Sequence, residues 1–132
     1  MVFAFVRKTK SIVYVGFNGT PKSEQEPQPY LNGLKKIYQE HEKANKHFTL
    51  LYDARKIGKI PWKFVQKQLT FMKEFRPVTK KYVKKIAIVL AENDTWSKTI
   101  LDTIFLLVPP VCDIKVIQSN SLQDASSYLN AA

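Results

Sequence analysis

The sequence is poor in the residues on which catalytic and metal sites depend. It has one cysteine, Cys112, and two histidines, His41 and His47, so neither an internal disulfide nor a zinc site is predicted. Its four glycines are scattered and form no phosphate-binding loop. His41 is predicted on an exposed helix face and His47 at the start of a strand, where neither activates a nucleophile. We therefore expect a non-enzymatic protein that uses no metal and no cofactor.

Long hydrophobic runs are also missing. Met1–Val6 is apolar for only six residues, and Ile104–Pro110 is far below the roughly 20 residues that span a bilayer. The lone Cys112, which follows Pro109-Pro110, is expected to be a buried small side chain, and its isolation fits a reducing compartment. With 132 residues, 45% of them hydrophobic, the chain is predicted to be one domain over residues 1–132, soluble and cytoplasmic.

Acidic residues are almost absent from one part of the chain. The window from Ala54 to Lys85 holds eleven basic residues and a single acid, Glu74, so it alone carries a charge of +10. The rest of the chain has ten basic and ten acidic residues and sums to zero. Such a polarised charge distribution bears on binding partners and not on the fold.

Hydrophobic patterning indicates strands that alternate with helices. Val2–Arg7 and Ser11–Asn18, joined by Lys8-Thr9-Lys10, predict an antiparallel hairpin. The remaining predicted strands are Phe48–Tyr52, Lys85–Ala91 and Ile114–Ile117, and the predicted helices are Tyr30–Lys46, Pro61–Phe75, Trp96–Val108 and Leu122–Leu129, with a helical stub at Thr79–Val83 and a loop at Ala54–Ile60. The order ββαβαβαβα predicts an α/β fold with a mixed, mostly parallel five-stranded sheet and helices on both faces.

This layout resembles the STAS domain of anti-anti-sigma factors and the related CRAL-TRIO domains. The segments that carry the resemblance are Phe48–Arg55 (FTLLYDAR), Lys85–Leu90, Asp124-Ala125 and Tyr128-Leu129. The resemblance implies a non-catalytic regulatory or protein-interaction module, and this is our first functional hypothesis.

The chain departs from both relatives. In STAS regulators a phosphorylatable serine follows the strand-ending aspartate, but here Asp53 is followed by Ala54-Arg55-Lys56, and no serine or threonine occurs until Thr70. We therefore expect no phosphorylation switch. CRAL-TRIO domains enclose a whole lipid with an extra gating helix, for which this chain is too short, so we expect no lipid-transfer role.

Three surfaces are candidate sites, each with an alternative interpretation. The basic stretch predicts an anion-binding surface for nucleic acid or an acidic membrane, or else a solvated face that aids solubility. Its residues are Arg55, Lys56, Lys59, Lys63, Lys67, Arg76, Lys80, Lys81 and Lys84. Anion binding is our alternative functional hypothesis.

The second candidate is a charged rim at the carboxyl ends of two strands. Asp53 is predicted to end the third strand, and Glu92 and Asp94 follow the fourth, so the three acids share one rim if these strands are neighbours. In the alternative interpretation Asp94 caps a helix, Asp53 pairs with a nearby base and Glu92 is solvated.

The third candidate is the helix that follows the fourth strand, predicted at Trp96–Val108, which has little polar face. Such a helix is either buried within the domain or meets another chain, and we expect a homodimer contact there. The residues of this predicted interface are Trp96, Ile100, Ile104, Phe105 and Leu107.

Overall fold

In a computed structural model, which describes residues 3–9 and 11–131, the chain forms one five-stranded sheet with five helices packed on it. The predicted residues Val2 and Lys10 lie outside the described residues. The strands are β1 (Ala4–Thr9), β2 (Ile12–Gly19), β3 (Phe48–Ile57), β4 (Val83–Leu90) and β5 (Asp113–Gln118). The helices are α1 (Gln28–Ala44), α2 (Trp62–Glu74), α3 (Arg76–Tyr82), α4 (Thr95–Leu107) and α5 (Gln123–Asn130).

The strands lie side by side in their order along the chain. β1 pairs antiparallel with β2, and every other neighbouring pair is parallel. This confirms the predicted mixed, mostly parallel α/β fold. Each parallel connection advances by one strand in the same direction, so the right-handed crossover rule places α1, α2 with α3, and α4 on one face of the sheet.

The main core lies between that face and the helices. Alternate residues of β3 point to opposite faces, as in any strand. Leu50 packs with Leu34 of α1 and with Phe71 of α2 in the main core, and all three are buried. Leu51 belongs instead to a second cluster on the other face, where α5 covers the sheet with Ala125 and Leu129. Helices therefore occupy both faces, but only one helix covers the second.

β3 is longer than predicted, so the predicted loop over Ala54–Ile60 is wrong for Ala54 to Ile57. Beyond an irregularity in the register, Asn18 pairs with Lys56 and Gly19 with Ile57. The strand thus continues through its charged residues because β2 offers it backbone partners. Asp53 consequently lies inside the strand and not at its end.

Two further local predictions are corrected. The helix predicted as a stub at Thr79–Val83 begins earlier, because α3 starts at Arg76 and Pro77 lies in its first turn, where a missing N–H leaves no hydrogen bond unmade. His41 is buried and not exposed, with its ring 4.2 Å from that of Phe48 and its Nδ1 2.8 Å from the Ile37 carbonyl oxygen. It follows Leu34 and Tyr38 at helical spacing, so the apolar stripe of α1 continues through it.

Candidate functional site

A partly open cavity of about 160 Å³ lies between the sheet and the helices, and we call it the central cavity. Its floor is the sheet face around Tyr52, Ala54 and Ile88, and its walls come from all four helices on that side. The apolar spacing of each helix places its stripe toward the sheet, but these stripes do not fill the space between α2, α4 and β4. The result is an apolar hollow within the main core.

Apart from Arg76, the polar side chains that line the central cavity are neutral at physiological pH. Burial raises the pKa of Tyr30, Tyr38 and Tyr52 above the ordinary value of a phenol. Burial, with a contribution from the neighbouring Asp113, raises the pKa of Cys112 to about 11. The lining drawn from the described residues contains no carboxylate and no imidazole, and its one charged side chain is Arg76. The cavity therefore offers apolar contact and hydrogen bonds, without a group that titrates near neutrality.

Most polar side chains of the lining are already hydrogen-bonded. The Tyr30 hydroxyl donates to Oε1 of Gln68 at 3.0 Å, and Oγ1 of Thr79 donates to the Phe75 carbonyl oxygen at 2.9 Å. Ser97 differs: it is 6% exposed, and its Oγ has no hydrogen-bond partner among the described residues. Buried hydroxyls are normally hydrogen-bonded, so the Ser97 hydroxyl is unusual among the polar groups of the lining.

Helix α4 is the outer wall of the central cavity. Ile104 and Val108 of α4 pack against Val65 and Leu69 of α2 in a separate buried cluster. At the far end of α4, Nη1 of Arg76 donates to the Pro109 carbonyl oxygen at 2.9 Å. These contacts hold α4 at its carboxyl-terminal half, next to Arg76.

The structure spreads the predicted anion-binding residues over separate places, and several already have partners. Arg55 forms an ion pair with Asp53, its Nε 2.8 Å from Oδ1, on the face that α5 partly covers. Lys63 forms an ion pair with Glu24, and Nζ of Lys67 donates to the Glu24 carbonyl oxygen at 2.6 Å. Lys56, Lys59 and Arg76 are exposed. The basic stretch is therefore not one continuous stripe.

Lys80, Lys81 and Lys84 of the basic stretch lie with two lysines near the end of α1 at the edge of the sheet where the parallel strands begin. The first residues of β3 and β4 pair there, and the Tyr82 hydroxyl donates to Oδ1 of Asn45 at 3.1 Å, which ties the end of α3 to the end of α1. We call the exposed residues at this edge the lysine cluster, and they are Lys43, Lys46, Lys80, Lys81 and Lys84. None of them forms an ion pair with another described residue.

The predicted acidic rim is only partly brought together. Glu92 and Asp94 line a shallow depression with Arg55 and Lys59, but Asp53 does not line it. Asp94 caps α4, since its Oδ1 accepts a hydrogen bond from the Ser97 backbone N–H at 3.0 Å. Oδ2 of Asp53 accepts a hydrogen bond from the Tyr14 hydroxyl at 2.6 Å, in addition to its pairing with Arg55. Each acid except Glu92 therefore has a local structural partner.

The residues of the predicted interface divide between the two sides of α4. Ile100, Ile104 and Phe105 face the central cavity or the cluster with α2. Trp96 and Leu107 are exposed, as is their neighbour Leu106. The homodimer contact stays a prediction, which now depends on the outward-facing residues alone.

Among the described residues, neither a metal site nor a membrane span emerges. Within residues 3–9 and 11–131, no three His, Cys, Asp or Glu side chains come together in a way that would hold a metal ion. Among the same residues, no helix is long and apolar enough to cross a membrane.

Sequence reasoning missed the central cavity and Ser97. The spacing of Ile100, Leu101, Ile104 and Phe105 indicated that α4 has an apolar inner face, and Ser97 falls on that face three residues before Ile100. A polar residue on an apolar stripe was the available signal. No pattern in the sequence shows that the side chains leave a hollow, because this depends on how the faces of several helices meet.

Comparison with known proteins assigns the chain by sequence. Residues 9–132 match the divergent CRAL/TRIO domain family. No curated protein and no solved structure matches. The match agrees with the CRAL-TRIO resemblance noted from the sequence, whereas the resemblance to STAS domains stays a prediction.

Proposed function

The chain belongs to the divergent CRAL/TRIO domain family, and from this we propose that it is a non-enzymatic module that binds one small apolar, lipid-like molecule in the central cavity. The observation that carries the proposal is the cavity itself, a hollow of about 160 Å³ lined by aliphatic and aromatic side chains. Binding sites for small molecules are mostly apolar hollows with a few placed polar groups.

The size of the hollow limits the ligand. An engineered apolar cavity of about 150 Å³ binds benzene. A site of about 160 Å³ accordingly admits a short hydrocarbon segment or one ring, and not a whole phospholipid.

The chemistry of the lining supports binding without turnover. The buried phenols and the Cys112 thiol have raised pKa values, so they neither donate nor accept protons readily at neutral pH. Arg76, the charged member of the lining, is exposed and hydrogen-bonded to Pro109.

Filling the hollow tests the proposal. Ala54 is 4% exposed on the cavity floor, so Ala54→Leu places a larger side chain in the space that a ligand would occupy. We expect the wild-type protein to bind 1-octanol with one-to-one stoichiometry in calorimetry and with a negative heat-capacity change, and Ala54→Leu to lose this binding. The matched control is Leu106→Phe, which adds bulk at a side chain that is 81% exposed on the outside of α4.

The two variants separate a cavity site from surface adsorption. If Ala54→Leu binds 1-octanol as the wild-type protein does, or if both variants lose binding equally, the cavity is not the site. Thermal melting of both variants without ligand establishes that each is folded.

A second function that we propose is attachment to an anionic membrane surface through the lysine cluster. The observation that favours it is the gathering of five exposed lysines at one edge without an ion-pair partner among the described residues. The cluster contains no arginine, whose planar fork suits individual phosphates. A diffuse negative surface matches mobile point charges, and each lysine near such a surface contributes about 1 kcal/mol.

Charge reversal with a matched control tests the second proposal. Replacing Lys81 and Lys84 by Glu should abolish sedimentation with phosphatidylserine-containing vesicles, and wild-type binding should weaken as salt rises. Replacing the exposed Lys22 and Lys36 by Glu changes the net charge equally, away from this edge. Equal losses in both variants, or tighter binding to duplex RNA than to vesicles, would refute the cluster as a membrane site.

A further inference from the structure

Ser97 lies in the first turn of α4, with its side chain toward the central cavity. Its backbone N–H is used by the Asp94 cap, and its side chain is buried. Thr99 and Thr103 of the same helix donate their hydroxyl protons to the carbonyl oxygens four residues earlier, at 2.9 and 3.0 Å. The Ser97 hydroxyl makes no such bond with any described residue. Since Ser97 lines the central cavity, this unused hydrogen-bonding capacity lies at the cavity wall.

The cavity lining near this hydroxyl is apolar, and the nearest charged group is the Asp94 carboxylate, whose Oδ1 lies 3.0 Å from the Ser97 backbone nitrogen. Leu90, Ile100 and Leu101 line the same part of the cavity. Arg76 lies near the opposite end of α4, where it contacts Pro109. The rise of a helix places Ser97 and Val108 about 16 Å apart along α4. An anionic oxygen beside Ser97 would thus be buried close to the Asp94 carboxylate and far from Arg76, which is strongly unfavourable.

We propose that the Ser97 hydroxyl hydrogen-bonds an uncharged oxygen of the ligand, so that the ligand class is a neutral chain molecule with a hydroxyl or carbonyl group, such as a medium-chain alcohol or ester. This inference depends on the proposed function of the central cavity. It adds the end at which the polar atom of the ligand lies and the charge that this atom must lack.

The test compares three probes of similar chain length, 1-octanol, octanoate and n-nonane, on the wild-type protein, Ser97→Ala and Ser97→Thr. We expect the wild-type protein to bind 1-octanol most tightly. Ser97→Ala should weaken 1-octanol binding by about five- to tenfold, the loss of one neutral hydrogen bond, and leave n-nonane binding unchanged. Ser97→Thr keeps the hydroxyl and should retain the preference for 1-octanol.

Stability without ligand separates this role from a structural one. Because the hydroxyl has no partner among the described residues, Ser97→Ala should melt at a temperature no lower than the wild-type protein. A lower melting temperature together with an unchanged preference for 1-octanol would show that Ser97 serves the fold and overturn the inference.

Octanoate distinguishes the two ends of the cavity. If octanoate binds more tightly than 1-octanol, and Arg76→Gln weakens it while Ser97→Ala does not, the polar head lies at Arg76 and the inference is wrong. If n-nonane and 1-octanol bind equally to the wild-type protein and to Ser97→Ala, the cavity function stands and the Ser97 role falls. If none of the three probes binds, both proposals fail.

Discussion

The thiol of Cys112 provides a direct measure of the central cavity. It is the chain's only cysteine, it lines the cavity, and burial raises its pKa from 9.0 to about 11. At pH 8 the difference of two pH units lowers the thiolate fraction about 100-fold relative to the unfolded chain. The higher intrinsic nucleophilicity of a more basic thiolate recovers about tenfold of that reactivity. The pKa alone should therefore slow alkylation by about tenfold, and steric burial should slow it further.

The assay is alkylation by iodoacetamide from pH 7 to pH 11, followed by mass spectrometry. The rate for the folded protein should increase about tenfold per pH unit and level off near pH 11, whereas the chain in denaturant should level off near pH 9. Saturating 1-octanol should slow the folded reaction again, because the ligand and the thiol share the cavity. A folded profile that levels off at or below pH 9 would refute the burial of Cys112 and weaken the case for the cavity.

Two further predictions concern the sheet. Burial raises the pKa of Asp53, but hydrogen bonds from Arg55 and a nearby tyrosine outweigh it, so the folded pKa lies below 3.8. The ionised Asp53 therefore stabilises the fold fully above pH 3.8, and this contribution is lost as pH falls through the folded pKa. Asp53→Asn should lower the unfolding free energy by about 2 kcal/mol at pH 7 and flatten its acid dependence in urea titrations. The control Asp102→Asn, at an exposed ion pair, should change the unfolding free energy by under about 0.5 kcal/mol. Equal effects of the two substitutions would contradict the pairing of Asp53 with Arg55. Gly58→Ala should cost about 1–3 kcal/mol in the same titration, because its Cβ would lie 3.1 Å from a backbone carbon as well as 2.5 Å from a side-chain oxygen. Gly16→Ala should cost less, under about 1 kcal/mol, because the atoms nearest to its Cβ, at 2.5 Å, belong to the half-exposed Phe5 ring, which can turn away, and the Tyr14 ring is 3.2 Å away. A larger loss for Gly16→Ala than for Gly58→Ala would show that the backbone at Gly58 yields easily.

The sequence was sufficient to predict the architecture because its periodicities are clear. The continuous apolar run Ile86–Leu90 predicts a strand buried on both faces, and it forms the centre of β4. Asp94 was predicted to cap a helix in the alternative interpretation of the charged rim, and it caps α4. Cys112 was predicted to be a buried small side chain, and the structure shows it half-buried.

The remaining features depend on pairings that local pattern does not reveal. The charged residues Arg55 and Lys56 suggested a loop, but β2 extends far enough to pair with them. Because histidine is polar, His41 was predicted on an exposed helix face, but it lies on the apolar stripe of α1 and is buried. The lysine cluster joins residues near positions 43–46 with residues near positions 80–84 only because the first residues of β3 and β4 are paired.

The position of α5 affects how the protein is made. The apolar residues Leu51, Ala87 and Val89 face away from the other helices, and they become buried only when Ala125 and Leu129 dock. Nζ of Lys85 then bonds the Tyr128 and Ala131 carbonyl oxygens at 3.0 and 2.8 Å, which fixes the end of α5. During synthesis on the ribosome, helices α1 to α4 can thus cover one face of the sheet, while the face that α5 covers stays exposed until residue 130 has emerged. Until then the apolar face of the sheet is exposed in the nascent chain, and chaperone binding and aggregation compete there with the docking of α5.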